Sequence, residues 1–268
     1  MFIILIKRKL FVRWMLIGIL FSLAMGGLSL AVIEVASKKP RHYFEKRGEI
    51  VWELSMPHKA IAITFDDGPS PSFTRQIMDL FSHYGGYATF FVTGSQVEKF
   101  PEVLQEIVRR HHEIGNHLYH HRPIPLLSEY HLYLELQKTH QLVQKLTGIT
   151  IRLFRPINGF YDEKVVRVAR SMNYQVIIWS QDSQDWSKKD GKEIAANILK
   201  HIRPGQILLF HDQGGNRTNT VDALKIILPE LAAQGYHFIT VSQMIKLSQH
   251  PSTTPVLKNP AGADELKR

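Results

Sequence analysis

Between Ala60 and Val241 the chain alternates short apolar runs with longer stretches of helical periodicity, and this alternation restricts the fold more than any other feature. The runs Ala60–Phe65, Ala88–Thr93, Glu113–Asn116, Leu153–Pro156, Tyr174–Ser180, Gln206–Phe210 and His237–Val241 read as strands. The segments Ser72–His83, Glu102–His112, Ser128–Leu146, Glu163–Met172, Lys192–Ile202 and Thr220–Gln234 read as helices between them. Strand–helix alternation predicts an α/β domain with a parallel sheet, because a helical crossover returns each strand in the same direction. About seven parallel strands suit either a distorted (β/α) TIM-like barrel or an open doubly wound sheet. No Gly-rich phosphate loop follows the first strand, which argues against a nucleotide fold.

The polar residues fall in register with this map. Asp66 and Asp67 follow the first predicted strand and His117 the third. Arg155 ends the fourth, Asp182 follows the fifth and His211 the sixth. The carboxyl rim of parallel strands is where βα folds build their sites.

Five segments could carry chemistry. In TFDDGPS (Thr64–Ser70), adjacent carboxylates at a strand end point in different directions, so Asp66 and Asp67 can take different tasks. A helix-capping Asp pair before a Gly-Pro turn has the same appearance. In NHLYHH (Asn116–His121), His117 and His121 stand four apart, so a helical turn would set both imidazoles on one side. Fourteen histidines make such a pair ordinary by chance; His111, His112 and His120 read as solvated surface. An added carboxylate from Asp67 would complete a two-His, one-Asp set that leaves positions open for water and substrate. LLFHDQGG (Leu208–Gly215) presents His211 at a strand end, where an imidazole could pass a proton near neutral pH. In SQDSQDW (Ser180–Trp186), Asp182 or Asp185 could pair with that histidine, and Trp186 could wall an apolar pocket or pack in the core. In FRPING (Phe154–Gly159), Arg155 could orient Asp66 or form a surface ion pair.

In this order, TFDDGP, HLYHH, FRPING, DSQDW and LLFHD resemble the five motifs of the polysaccharide deacetylase family, carbohydrate esterase family four, over about residues 58–248. The resemblance implies a distorted (β/α) barrel that hydrolyses N-acetyl groups of a polysaccharide, with peptidoglycan N-acetylglucosamine or a chitin-like polymer as substrate. It implies that Asp67, His117 and His121 hold a divalent metal, usually zinc, with cobalt, manganese or nickel as substitutes. Asp66 would be the general base, His211 the general acid and Arg155 the partner of Asp66. Asp182 or Asp185 would tune His211, while Trp186, Leu209 and Pro156 would contact the substrate. The chain departs from the family where Ile157 and Asn158 replace a second proline and an aromatic, and where Leu118 and His120 replace small polar residues. An O-acetyl polysaccharide esterase and a non-catalytic glycan-binding envelope protein are the competing expectations.

Composition constrains the rest. With no cysteine among 268 residues, disulfides and thiolate ligands are excluded, so any metal rests on His, Asp or Glu. Of the net charge of +9, residues 1–50 carry +6, from nine Lys/Arg against three Asp/Glu, leaving +3 for the globular part. No nucleic-acid partner is expected. Trp14–Ile33 is free of charge and, as a helix, would span roughly 30 Å, a bilayer core. Lys7, Arg8, Lys9 and Arg13 precede it, placing residues 1–13 in the cytoplasm and 14–33 as a signal-anchor. A cleaved signal peptide is the other reading, giving a secreted protein. Residues 34–57 would form a stem, 58–248 the catalytic domain and 249–268 a disordered tail. The expected protein is a monomer on the cell membrane, its catalytic domain outside.

Overall fold

The computed structural model describes residues 39–187 and 189–250. In chain order the elements are α1 (Arg41–Lys46), β1 (Ile50–Val51), β2 (Ala60–Asp66), α2 (Phe73–His83), β3 (Thr89–Val92), α3 (Gly94–Lys99), α4 (Pro101–Arg109) and β4 (Glu113–Asn116). There follow α5 (Glu129–Thr147), β5 (Leu153–Phe154), α6 (Glu163–Ser171), β6 (Gln175–Ile177), β7 (Gln181–Asp182), α7 (Gly191–Lys200), β8 (Ile207–His211), α8 (Thr218–Ala233), β9 (His237–Phe238) and α9 (Val241–Gln249). Side-chain caps start several helices. Ser128 accepts from the His131 N–H and Asp162 from the Val165 N–H, while Asp190/Glu193 and Thr240/Gln243 form capping boxes.

The strands form one curled parallel sheet in the order β1-β6-β5-β4-β3-β2-β8-β7, with β9 paired to the start of β2. This is the expected barrel-like α/β architecture, realised as a half-barrel. The edge strands β1 and β7 do not pair with each other. Instead Glu53 bridges antiparallel to Gln206, and the Leu54 N–H donates to the Gly205 carbonyl at 2.9 Å.

Alternation along β2 shows how the sheet is filled. Ala60 and Ala62 face a core with Phe91, Leu153, Ile177 and Ile207, closed from below by Val241 and Met244 of α9. Their neighbours Ile61, Ile63 and Phe65 are equally buried, and Phe65 meets Phe81 of α2 edge-on at 6.1 Å. Each buried Ile or Phe contributes about 2 kcal/mol. Thr64 and Asp66 share the inward face of Ala60 and Ala62, so polar side chains appear only at its carboxyl end.

Several expectations are revised. The segment 34–57, expected as a stem, supplies β1 to the sheet, and its Trp52 is buried edge-on against Tyr161. The predicted strand Tyr174–Ser180 is only β6 at Gln175–Ile177, and a separate strand, β7, follows at Gln181–Asp182. The chain leaves the ladder where Ile177 and Ile178 turn their carbonyls to Arg155. His112, expected on the surface, is buried among Phe81, Tyr87 and Phe90, and its Nδ1 accepts the Ala88 N–H at 3.0 Å. Burial holds it neutral, with its pKa lowered to about 4. Among the described residues no helix is long and apolar enough to cross a membrane. The run 14–33 lies outside the described residues, as does the tail from residue 251.

Candidate active site

Arg155 is the largest fully buried side chain at the sheet's carboxyl end. Its Nη1 donates to Asp66 Oδ1 at 2.8 Å and to Thr64 Oγ1 at 2.7 Å, and its Nη2 donates to the Ile178 carbonyl at 3.0 Å. The guanidinium also lies 4.1 Å from the Phe91 ring centroid. A buried charge of this kind is costly unless hydrogen bonds and a counter-charge offset its desolvation. Asp66 supplies that charge, and is thereby fixed with Oδ2 free to face the cavity.

His117 follows β4. Its Nδ1 lies 2.7 Å from the Arg155 carbonyl, which can only accept, so Nδ1 carries the proton. The lone pair of Nε2 therefore points inward, 3.5 Å from Asp67 Oδ1 and 3.8 Å from Asp66 Oδ2. Burial lowers the pKa of His117, which keeps the ring neutral. A lone pair facing carboxylate oxygens is repulsive unless a cation stands between them. His121 Nε2 lies 3.3 Å from the same Asp67 Oδ1, which is buried and makes no formed hydrogen bond. One ligand atom from each of Asp67, His117 and His121 lies within 4.8 Å of the other two. This donor set fits a divalent cation. Burial works against ionised Asp67, but His121, His117 and His211 outweigh it and hold its pKa at about 2.

The loops here adopt unusual backbone geometry. Asp67 and Leu118 have φ of 75° and 66°. Asn116 supports the second by accepting the Leu118 N–H on its side-chain oxygen at 2.9 Å.

Opposite the cluster of Asp67, His117 and His121, His211 ends β8. Its Nδ1 is 2.8 Å from Asp185 Oδ1, while its own N–H donates to Asp185 Oδ2 at 2.9 Å. Thr220 donates to the same Oδ2 at 2.7 Å. Burial disfavours the imidazolium, but Asp185 reverses the balance and raises the His211 pKa. The two aspartates left open by sequence are thus separated. Asp185 pairs with His211, whereas Asp182 accepts the Gln184 N–H at 2.7 Å and lines the cavity.

A cavity of about 440 Å³ joins these groups. Asp66, Asp67, His117, His121 and His211 all line it, together with Leu209 and Trp186, the latter 60% exposed. Pro156 does not; it is buried, and Asn158, with φ of 55°, stands in the wall instead. Sequence reasoning missed two further wall residues, Trp179 and Arg217. It also missed Asp212, a buried carboxyl beneath the Gly68 turn that accepts from Thr74, with burial raising its pKa to about 7. A Cβ on Gly68 would meet Asp212 Oδ2 at 2.3 Å, so only glycine fits there.

The same arrangement of elements recurs in known proteins. The family model "Polysaccharide deacetylase" matches residues 53–177. A peptidoglycan-N-acetylglucosamine deacetylase of Bacillus cereus is 38% identical over 208 residues, covering 77% of this chain and 97% of that protein. A crystal structure of a peptidoglycan N-acetylglucosamine deacetylase superposes with a TM-score of 0.74 at 31% identity, over 77% of this chain and 96% of that one. A family 4 acetyl xylan esterase from Clostridium thermocellum, solved with a cobalt ion, gives 0.65 at 30% identity, over 70% and 91%.

Proposed function

We infer the function from one premise: this chain belongs to the polysaccharide deacetylase family. It is a deacetylase hydrolase, and its substrate is the N-acetylglucosamine of peptidoglycan at the outer face of the cell membrane. The observation that carries the reading is the convergence of Asp67, His117 and His121 in one cavity with Asp66 and His211. The Bacillus cereus relative supports the choice of substrate, and the charge-free run at 14–33 supports export, whether retained as an anchor or cleaved.

Asp67, His117 and His121 would hold the metal, for which zinc is the leading identity. When bound, it polarises the acetyl carbonyl and acidifies water. Asp66, fixed by Arg155, takes the proton from the attacking water through its free Oδ2. His211, kept proton-bearing by Asp185, delivers a proton to the sugar nitrogen, which otherwise leaves poorly. Leu209 and Trp186 offer an apolar wall for the acetyl methyl. No side-chain nucleophile is required.

The test is release of free amine and acetate from N-acetylglucosamine oligomers and wall fragments by the full chain in detergent. Chelator should abolish release and added zinc restore it. An absence of release from every N-acetylated glycan, with zinc or cobalt supplied, rejects the reading. The likeness to an acetyl xylan esterase motivates a second reading, O-acetyl hydrolysis, since one site can cleave both bonds. The ratio of turnover on O-acetyl and N-acetyl substrates decides between them.

A further inference from the structure

Arg217 lines the same cavity and is only 7% exposed. Among the described residues no carboxylate lies within ion-pairing distance of it. Its Nε donates to the Gln213 carbonyl at 2.8 Å, Nη1 to the Asp185 carbonyl at 3.3 Å and Nη2 to the Gly214 carbonyl at 3.1 Å. A guanidinium has five N–H donors, so two are left without an acceptor among the described residues. Carbonyl oxygens satisfy hydrogens but do not neutralise charge, and a buried cation calls for an anion. The location aggravates this. Arg217 is the cap residue just before α8, so its charge adds to the partial positive charge of a helix amino terminus.

The glycine beside it leaves room for the guanidinium. A Cβ on Gly214, which has φ of +92°, would lie 2.9 Å from Arg217 Nη2 and 3.6 Å from Asp67 Oδ2. A side chain at position 214 would therefore crowd the guanidinium, which glycine avoids. The planar fork of a guanidinium matches the two oxygens of a carboxylate.

We propose that Arg217 forms a carboxylate-accepting subsite in the wall of the cavity, taking either a carboxylate carried by the N-acetylated sugar or the acetate released from it. The N-acetyl chemistry rests on the deacetylase reading above, but the sugar departs from it, because N-acetylglucosamine carries no carboxylate; the anion specificity rests on Arg217 alone. A sugar whose ring bears a carboxylate on a side ether, as in N-acetylmuramic acid, is then bound in preference to its neutral counterpart.

The experiment is calorimetric binding to the full-length chain reconstituted with zinc, using N-acetylmuramic acid, its methyl ester and sodium acetate. With the sugar as source, the unmodified chain binds the acid roughly tenfold more tightly than the ester, as one charge-assisted hydrogen-bonded pair provides. Arg217→Gln then removes that preference and Arg217→Lys keeps part of it. With the product as source, acid and ester bind alike, and acetate binds roughly tenfold more weakly to Arg217→Gln. The proposal is overturned if acid and ester bind alike and acetate affinity stays within about twofold of the unmodified chain. Arg217→Lys supplies the same comparison if the Gln variant does not fold, because it keeps the charge but loses the planar fork. Arg217 would then only staple the 213–217 loop to Asp185. A chain that shows the preference but releases no acetyl group would sink the proposed activity and leave this inference standing.

Discussion

The two ends of the parallel strands treat a buried imidazole in opposite ways. At the amino-terminal base, just before β4, His112 is enclosed by aromatic rings and offered only a backbone donor, so burial strips its proton. At the carboxyl rim His211 is also largely buried, yet Asp185 is fixed against it by Thr220, and its proton is held more tightly than usual. The difference lies in the neighbours. At the base, apolar packing fixes the histidine's state and shape is what matters. At the rim each polar atom depends on a named partner, so loss of one partner should be felt as lost chemistry.

The largest expected effect is at the rim. Asp66→Asn should lower turnover by about 10²–10⁴-fold, the usual contribution of a positioned base, while zinc content stays at one ion per chain. A variant that keeps full turnover would break the contrast. Next, Arg155→Met should cost about 3–5 kcal/mol in urea unfolding, because it leaves Asp66 charged and buried. The base supplies the third. His112 has its folded pKa depressed to about 4 from 6.5, so the unfolded chain takes up the proton first as pH falls. Stability is therefore complete above pH 6.5 and declines between there and pH 4, by about 3 kcal/mol. His112→Phe should flatten that part of the pH–stability curve, although other groups contribute to it. The smallest effect is a displacement. Without its carboxylate partner, His211 in Asp185→Asn should lose its proton at lower pH. The alkaline limb of the pH–rate profile should move toward acid, and an unmoved limb would remove Asp185 from its role.

Most of the framework was legible because long periodic segments announce themselves. The helix at 129–147 and the strands at 60–66 and 113–116 fall close to where patterning places them. What escaped was short or conditional. Helix α3 is six residues between two strand-like and helix-like runs, and β1 is two residues in a charged stretch. Asp67 and His117 were legible because each follows a strand end, whereas His121 was expected from a helical turn and is instead brought in by a bend with Leu118 at φ of 66°. Asp182 and Asp185 could not be separated by sequence, since the left-handed turn at Gln184, φ of 58°, decides which one reaches His211. Arg217 looked like one more loop residue in Gly-Gly-Asn-Arg. Its partners are carbonyls from three other positions, and composition says nothing about those.

The pairing of β1 with β6 decides where this protein can be trimmed. Cutting at residue 58, where the strand–helix alternation begins, would strip β1 and Trp52 away and leave the β6 hydrogen-bonding row bare. A longer bare edge recruits other chains more readily, so a fragment begun there should self-associate more than one that keeps Ile50 and Val51, whose edge strand is only two residues long.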